Sequence, residues 1–308
     1  MPLELGLASS YAPSLYRGRD NQKMVTEYLI GDAVQPPETA AEGPAERQAY
    51  IDRFSQTLDR ARLSINEAGL DTLVVLIADD DRYFSRSNTP QFHVFIGEEI
   101  WGDSSIAHIG ETANPTTFNC DEDLANFIAQ ELVLRHFDIA ESRGAFRPVG
   151  DPERGMAPGI VELLRELKVT IPIVPIHINC HSLPRSSGSR LWAFGEALGE
   201  ILGYSDKRLG MVVSGGMSGD PRGYMAGWID EKLDRWAMQR LALGRSEDLI
   251  DMWSARSLTL NGTTAELRLW LALGAAMERS GAKARVCDYF PFHGAAAGIG
   301  TMVWEARP

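Results

Sequence analysis

Short apolar runs alternate along this chain with longer stretches in which apolar residues return every three or four positions. Residues 3–8, 72–78 (TLVVLIA), 171–179 (IPIVPIHIN) and 209–213 are near-continuous apolar runs of strand length, as expected for strands buried on both faces. Residues 91–96, 284–289 and 299–305 are further strand candidates. Helical spacing predicts a helix over 45–68, from Tyr50, Phe54, Leu58, Ala61, Leu63 and Ile65, ended by Gly69. Helices are also predicted over 121–136 with Asp121 as N-cap, and over 158–167, 189–203, 228–243, 247–255 and 263–279. Strands alternating with helices predict an α/β fold, one domain over 1–308 with a mainly parallel central sheet flanked by helices. The exception is a surface insertion around 17–48. Within it, 32–46 (DAVQPPETAAEGPAE) reads as a mobile surface loop.

Composition narrows the function classes. Of 308 residues 44% are hydrophobic, enough for a full core. The net charge of −12 argues against a nucleic-acid surface. No apolar run is long enough to span a bilayer and no targeting signal opens the chain, so no membrane partner is expected. Cys120, Cys180 and Cys287 are widely separated and form no CxxC pair. They predict a reducing, cytoplasmic setting and no disulfide framework.

The stretch that organises the chain is 208–220 (RLGMVVSGGMSGD), a strand running into glycines. In α/β folds such strand ends are where ligands bind. Two further strand ends, 9–13 and 79–84, carry polar clusters, and a fourth cluster opens the helix at 261–270. Tyr11 reads either as a phenolic acid/base or as a buried ring. Asp79, Asp80 and Asp81 read either as crowded carboxylates with raised pKa values or as a capped turn. Glu266 reads as a pocket carboxylate or as a charge on the helix dipole. Gly215 and Gly216 read as a tight turn or as an anion nest. His177 alternates with isoleucines and reads as structural. His93, His108 and His136 have no constellation. Cys180 has no neighbouring base in sequence.

Four motifs point further: VPIHIN at 174–179, SGGMS at 214–218, NGTTAELRLWLALGAAM at 261–277 and DYFPFHGAAAGIGTM at 288–302. Together with the order of polar clusters they resemble the class III extradiol ring-cleavage dioxygenases. This is the family of the protocatechuate 4,5-dioxygenase β subunit and of methylgallate dioxygenases. The resemblance implies that family's α/β fold, with the site at the carboxyl ends of the strands. It also implies a position for a 2-His-1-carboxylate Fe(II) site.

The sequence departs from the family pattern at most of its histidines. Tyr11 stands at the first ligand position. With Phe84 and Asn88 as anchors Asp81 stands at the second; a one-residue shift puts Arg82 there, which is no ligand. Glu266 is kept. Gly219 replaces the acid/base histidine after Ser218, which is expected to enlarge the site. Glu153-Arg154-Gly155 is the match to the family's Asp-His-Gly. The resemblance therefore implies catalytic roles for Tyr11, Asp81 and Glu266, with His181 and His293 as the best-placed remaining imidazoles. Ser10, Arg154, Asn179, Ser218 and Gly219 are the expected substrate contacts. No metal cofactor is expected; the alternative is Fe(II) or another divalent ion on the oxygen-rich set Tyr11–Asp81–Glu266.

Three readings of function follow. One is a repurposed enzyme acting on a small phenolic or aromatic acid. The second is a non-catalytic subunit paired with an active paralogue. The third is a ring-cleaving oxygenase with that oxygen-rich site. The expected partners are the small aromatic ligand and either a second copy of the chain or a paralogous subunit.

Overall fold

The computed structural model describes residues 3–18, 21–79, 83–85, 88–144, 155–253 and 261–306. The strands are β1 (Leu3–Ser9), β2 (Thr72–Ala78), β3 (Phe92–Phe95), β4 (Glu99–Gly102), β5 (Thr116–Asn119), β6 (Ile139–Ser142), β7 (Ile173–Ile178), β8 (Leu209–Ser214), β9 (Lys283–Phe292) and β10 (Ala297–Glu305). The helices are α1 (Gln22–Ile30), α2 (Pro37–Ala41), α3 (Pro44–Ala68), α4 (Glu122–Leu134), α5 (Pro158–Glu166), α6 (Gly188–Leu202), α7 (Glu231–Ala242) and α8 (Leu267–Arg279).

The four apolar runs become the parallel centre of an eight-stranded sheet, ordered β6-β3-β7-β2-β8-β1-β10-β9. Strands β7, β2, β8 and β1 run parallel. β10 and β9 close one edge as an antiparallel pair. β3 runs antiparallel to β7 and parallel to β6. Alternate residues of each central strand enter opposite cores. Val74, Leu76, Met211 and Val213 pack with α4, α6, α7 and α8. Leu73, Val75, Ile77 and Val212 pack with α3 and α5. Burial on both faces is why these strands read as unbroken apolar runs.

Helix boundaries follow local chemistry. Asp121 Oδ1 accepts the Leu124 N–H at 3.2 Å, as its N-cap role requires. Asp230 does the same for Leu233 at 3.0 Å, so α7 starts at Glu231 rather than at 228. Residues 262–266 form a 3-10 turn, and the α-helix begins only at Leu267.

The 32–46 stretch is not a loose loop. It holds α2 and the start of α3, each with proline in its first turn. Glu42 is buried, and its two carboxylate oxygens accept the N–H groups of His293 and Gly294, both at 2.6 Å. In α1, Val25 and Leu29 pack against Ala226 and Ala296. The insertion thus forms part of the wall around the strand ends.

His177 on β7 and His93 on β3 lie opposite each other, with their Nδ1 atoms 3.1 Å apart. One Nδ1 must carry the shared proton and the other accept it. His93 Nε2 continues to Ser142 Oγ at 2.8 Å, and that hydroxyl to Tyr83 OH at 2.8 Å. Burial lowers the His93 pKa to about 3 and holds His177 well below its ordinary value. The unfolded chain binds protons at both sites below about 6.5, while the native pair does not. The stability they contribute is therefore complete above that pH and declines as pH falls, for His93 until about 3. Thermal melts of His93→Gln between pH 7 and 4 should accordingly show a flatter decline than the unsubstituted protein. Parallel pH profiles would contradict this account of the pair.

Candidate functional site

Each central parallel strand delivers a polar segment to the same edge of the sheet. β1 leads to Ser10 and Tyr11, β2 to Asp79, β7 to Asn179 and His181, and β8 to Ser214 and the glycine turn. The 262–266 turn brings Glu266 against that glycine turn. Glu266 Oε2 accepts the Gly216 N–H at 2.6 Å. Its Oε1 lies 2.9 Å from His181 Nε2. With Glu266 ionised, Nε2 carries the proton and donates it. Glu266 stands at the N-terminus of α8 without a side-chain capping bond, and its carboxylate contacts are Gly216 and His181.

The approach depends on glycine. A Cβ on Gly216 would stand 2.3 Å from Thr263 Cβ and 2.8 Å from Thr263 O. Trp270 Nε1 fixes the other side of the turn by donating to Gly215 O at 2.9 Å.

Glu266 faces a cavity of about 580 Å³, whose lining includes Tyr11, His108, Ser214, Arg222 and Thr263. The Tyr11 ring lies on the first turn of α5, where a Cβ on Gly159 would be 2.8 Å from its Cγ. Ser214 Oγ is buried and meets no hydrogen-bond partner among the described residues. One wall is braced by Arg17, which donates to both Glu111 oxygens at 2.7 and 3.0 Å. Burial alone would raise the Glu111 carboxyl, but Arg17 and the Ile106 N–H outweigh it and hold the carboxyl below its ordinary range.

Other sequence-predicted residues have structural surroundings. Ser10 Oγ accepts the Gly300 N–H at 2.9 Å and ties β1 to β10. Asn179 braces its own loop, donating to Ser182 O at 2.8 Å and accepting from the Ser182 N–H at 3.0 Å. His293 is buried with Nδ1 2.8 Å from Gly227 O. Ser218 holds the buried Asp234, whose carboxyl burial pushes up to about 6 despite hydrogen bonds from Ser218 and Tyr289. Ser218 and Gly219 line a second cavity of about 380 Å³, separate from the one that Glu266 faces. Asp79 accepts the N–H groups of Tyr83 and Phe84, the capped-turn alternative. Burial raises the Cys180 thiol pKa well above its ordinary value, so it is not a reactive thiolate. Asp81 and Arg154 lie outside the described residues.

Gly219 does not leave the room expected of a lost imidazole. A Cβ there would stand 2.4 Å from the Ala296 carbonyl oxygen and 2.7 Å from Thr263 Oγ1, so backbone has closed over the position. Sequence reasoning missed Tyr28, His108, Ser214 and Arg222 as cavity residues. Tyr28 and Arg222 carry no spacing signal and reach the cavity only because the insertion folds.

A 2-His-1-carboxylate iron site needs two imidazoles and a carboxylate on one face. Among the described residues no three His, Cys, Asp or Glu side chains converge in that way. Glu266 has one imidazole hydrogen-bonded to it, and a tyrosine, Tyr11, follows β1. These donors do not compose the 2-His-1-carboxylate site.

The fold and these positions meet in one family. Residues 35–299 match the family described as the catalytic LigB subunit of aromatic ring-opening dioxygenase, and the chain belongs to it. Among curated proteins, 2,3-dihydroxyphenylpropionate/2,3-dihydroxicinnamic acid 1,2-dioxygenase of Mycolicibacterium smegmatis is 38% identical over 178 residues. That match covers 58% of this chain and 53% of the relative. The protein of the same name from Rhodococcus jostii is 29% identical over 174 residues, covering 56% and 51%. The chain thus spans about half the length of the curated relatives it matches. The crystal structure of an uncharacterized protein from Escherichia coli K12 shares the fold, with a TM-score of 0.56 at 11% identity over 97% of this chain and 99% of that one.

The closed position of Gly219 gives a direct check. Gly219→Ala should destabilise the protein by about 1–3 kcal/mol, the usual cost of overpacking, and Gly219→His by at least as much. Chemical denaturation measures it, and an unchanged midpoint would show that the position is open.

Proposed function

We propose that this protein binds a small phenolic aromatic acid in the 580 Å³ cavity and uses Glu266 as the acid/base group for its ring hydroxyl. The observation that carries this reading is the Glu266 carboxylate, which faces the cavity while held by Gly216 and His181. A carboxylate has about four acceptor positions, and these two contacts occupy two of them. A phenolic hydroxyl entering the cavity can donate to another. As the hydroxyl proton passes to Glu266, negative charge moves to the phenolic oxygen, and hydrogen-bond donors near it lower the cost.

The cavity also bears on the choice between an enzyme and a non-catalytic subunit. A subunit that had lost its task would be expected to fill the space with side chains. Here it is open and lined by polar groups, which supports ligand binding. The names of the curated relatives support a dihydroxylated phenyl ring with a carboxylate tail as the ligand class.

Glu266→Gln should weaken binding of 3-(2,3-dihydroxyphenyl)propionate about 10- to 100-fold. That is the range for losing one hydrogen bond to a charged group. The melting temperature should move by only a few degrees. Calorimetric titration checks the affinity, and equal affinities in the two proteins would remove Glu266 from the reading.

A further inference from the structure

A carboxylate tail needs a cation, and the cavity is otherwise acidic. Asp103, Glu111 and Glu266 all belong to its lining. Among the described lining residues, Arg222 is the only arginine or lysine. We infer that Arg222 receives the ligand's carboxylate at the mouth of the cavity. The inference rests on the phenolic-acid reading above and adds the residue that selects the acid.

Three observations carry it. First, Arg222 is exposed and its guanidinium makes no hydrogen bond or ion pair with any described residue, which leaves five N–H donors in a fork that suits a carboxylate. Arg17 on the wall nearby is the contrast, because its fork is already closed on Glu111. Second, Arg222 is held in the left-handed backbone region at φ 64°, where residues with a Cβ are disfavoured. Glycine follows it immediately, yet the arginine occupies the strained position. Its N–H donates to Leu29 O at 2.7 Å, which locks the turn onto the folded insertion. Backbone strain clusters at ligand sites, and here it lies beside the cavity. Third, the guanidinium carbon lies 5.5 Å from the centre of the Tyr28 ring. Tyr28 in turn lies against His108, with ring centroids 5.5 Å apart. This support limits the side chain's freedom before ligand arrives, so less is lost on binding.

The result is a site with two ends. Glu266 takes the hydroxylated ring and Arg222 the tail. An exposed ion pair alone is weak. A bidentate pair that the ligand partly covers is stronger and favours acids over their neutral analogues.

The test uses the full chain, Arg222→Gly and Arg222→Lys, with three probes titrated calorimetrically. They are 3-(2,3-dihydroxyphenyl)propionate, the neutral 3-ethylcatechol and the hydroxyl-free 3-phenylpropionate. Glycine suits a positive φ, so Arg222→Gly should fold with a melting temperature at or above that of the unsubstituted protein. We expect it to weaken both carboxylates about 10- to 100-fold and to leave 3-ethylcatechol unchanged. Arg222→Lys should fall between, since it keeps the charge and loses the fork. If the carboxylates bind equally to all three proteins, Arg222 is not the tail site, although the phenolic reading stands. If 3-phenylpropionate binds in an Arg222-dependent way while 3-ethylcatechol does not bind, the tail site stands and the phenolic end of the reading fails. If none of the probes binds the unsubstituted protein, both are overturned.

Discussion

The site depends on one close approach, that of the glycine turn after β8 to the 3-10 turn before α8. Gly216 and Thr263 lie so near that any side chain on Gly216 would collide with Thr263. That proximity lets a backbone N–H reach Glu266 at 2.6 Å and sets the carboxylate where His181 can meet its other oxygen. Together the two contacts hold the carboxylate in a fixed direction. Trp270 secures the geometry from below by binding the carbonyl of Gly215.

Around this contact the protein separates two polar regions. One is the Glu266 cavity, at the carboxyl ends of the parallel strands, where α/β sheets bind ligands. The other is a set of buried networks. The His93–His177 pair joins β3 to β7, and Asp234 ties Ser218 to Tyr289. These groups carry strongly displaced pKa values because of burial, yet their partners are structural. The most strongly displaced pKa values thus belong to buried structural groups.

The sequence was legible where burial is continuous. β2, β7 and β8 show as apolar runs because both of their faces are covered. The family resemblance, carried by SGGMS and NGTTAELRLW, also pointed to the sheet edge where the Glu266 cavity lies. β4, β5 and β6 were not legible, since four residues are too few for a period to emerge. The 32–46 stretch misled because proline and alanine suit both loops and helix starts, and only the tertiary contact of Glu42 decides between them. Glu266 and His181 were each identifiable as candidates. Their pairing across 85 positions was not, because it depends on how two loops pack. Gly219 was read as vacated space, whereas Ala296 backbone fills it.

The central claim is that Glu266 and His181 form one hydrogen-bonded unit that responds to what enters the cavity. Nitrogen NMR of histidine-labelled protein, with the signal assigned by a His181→Gln variant, tests it most directly. The account predicts that His181 Nε2 carries a proton in the ligand-free protein and that its resonance shifts on titration with 3-(2,3-dihydroxyphenyl)propionate. An Nε2 without a proton, or a resonance that stays fixed while the ligand binds, would contradict it.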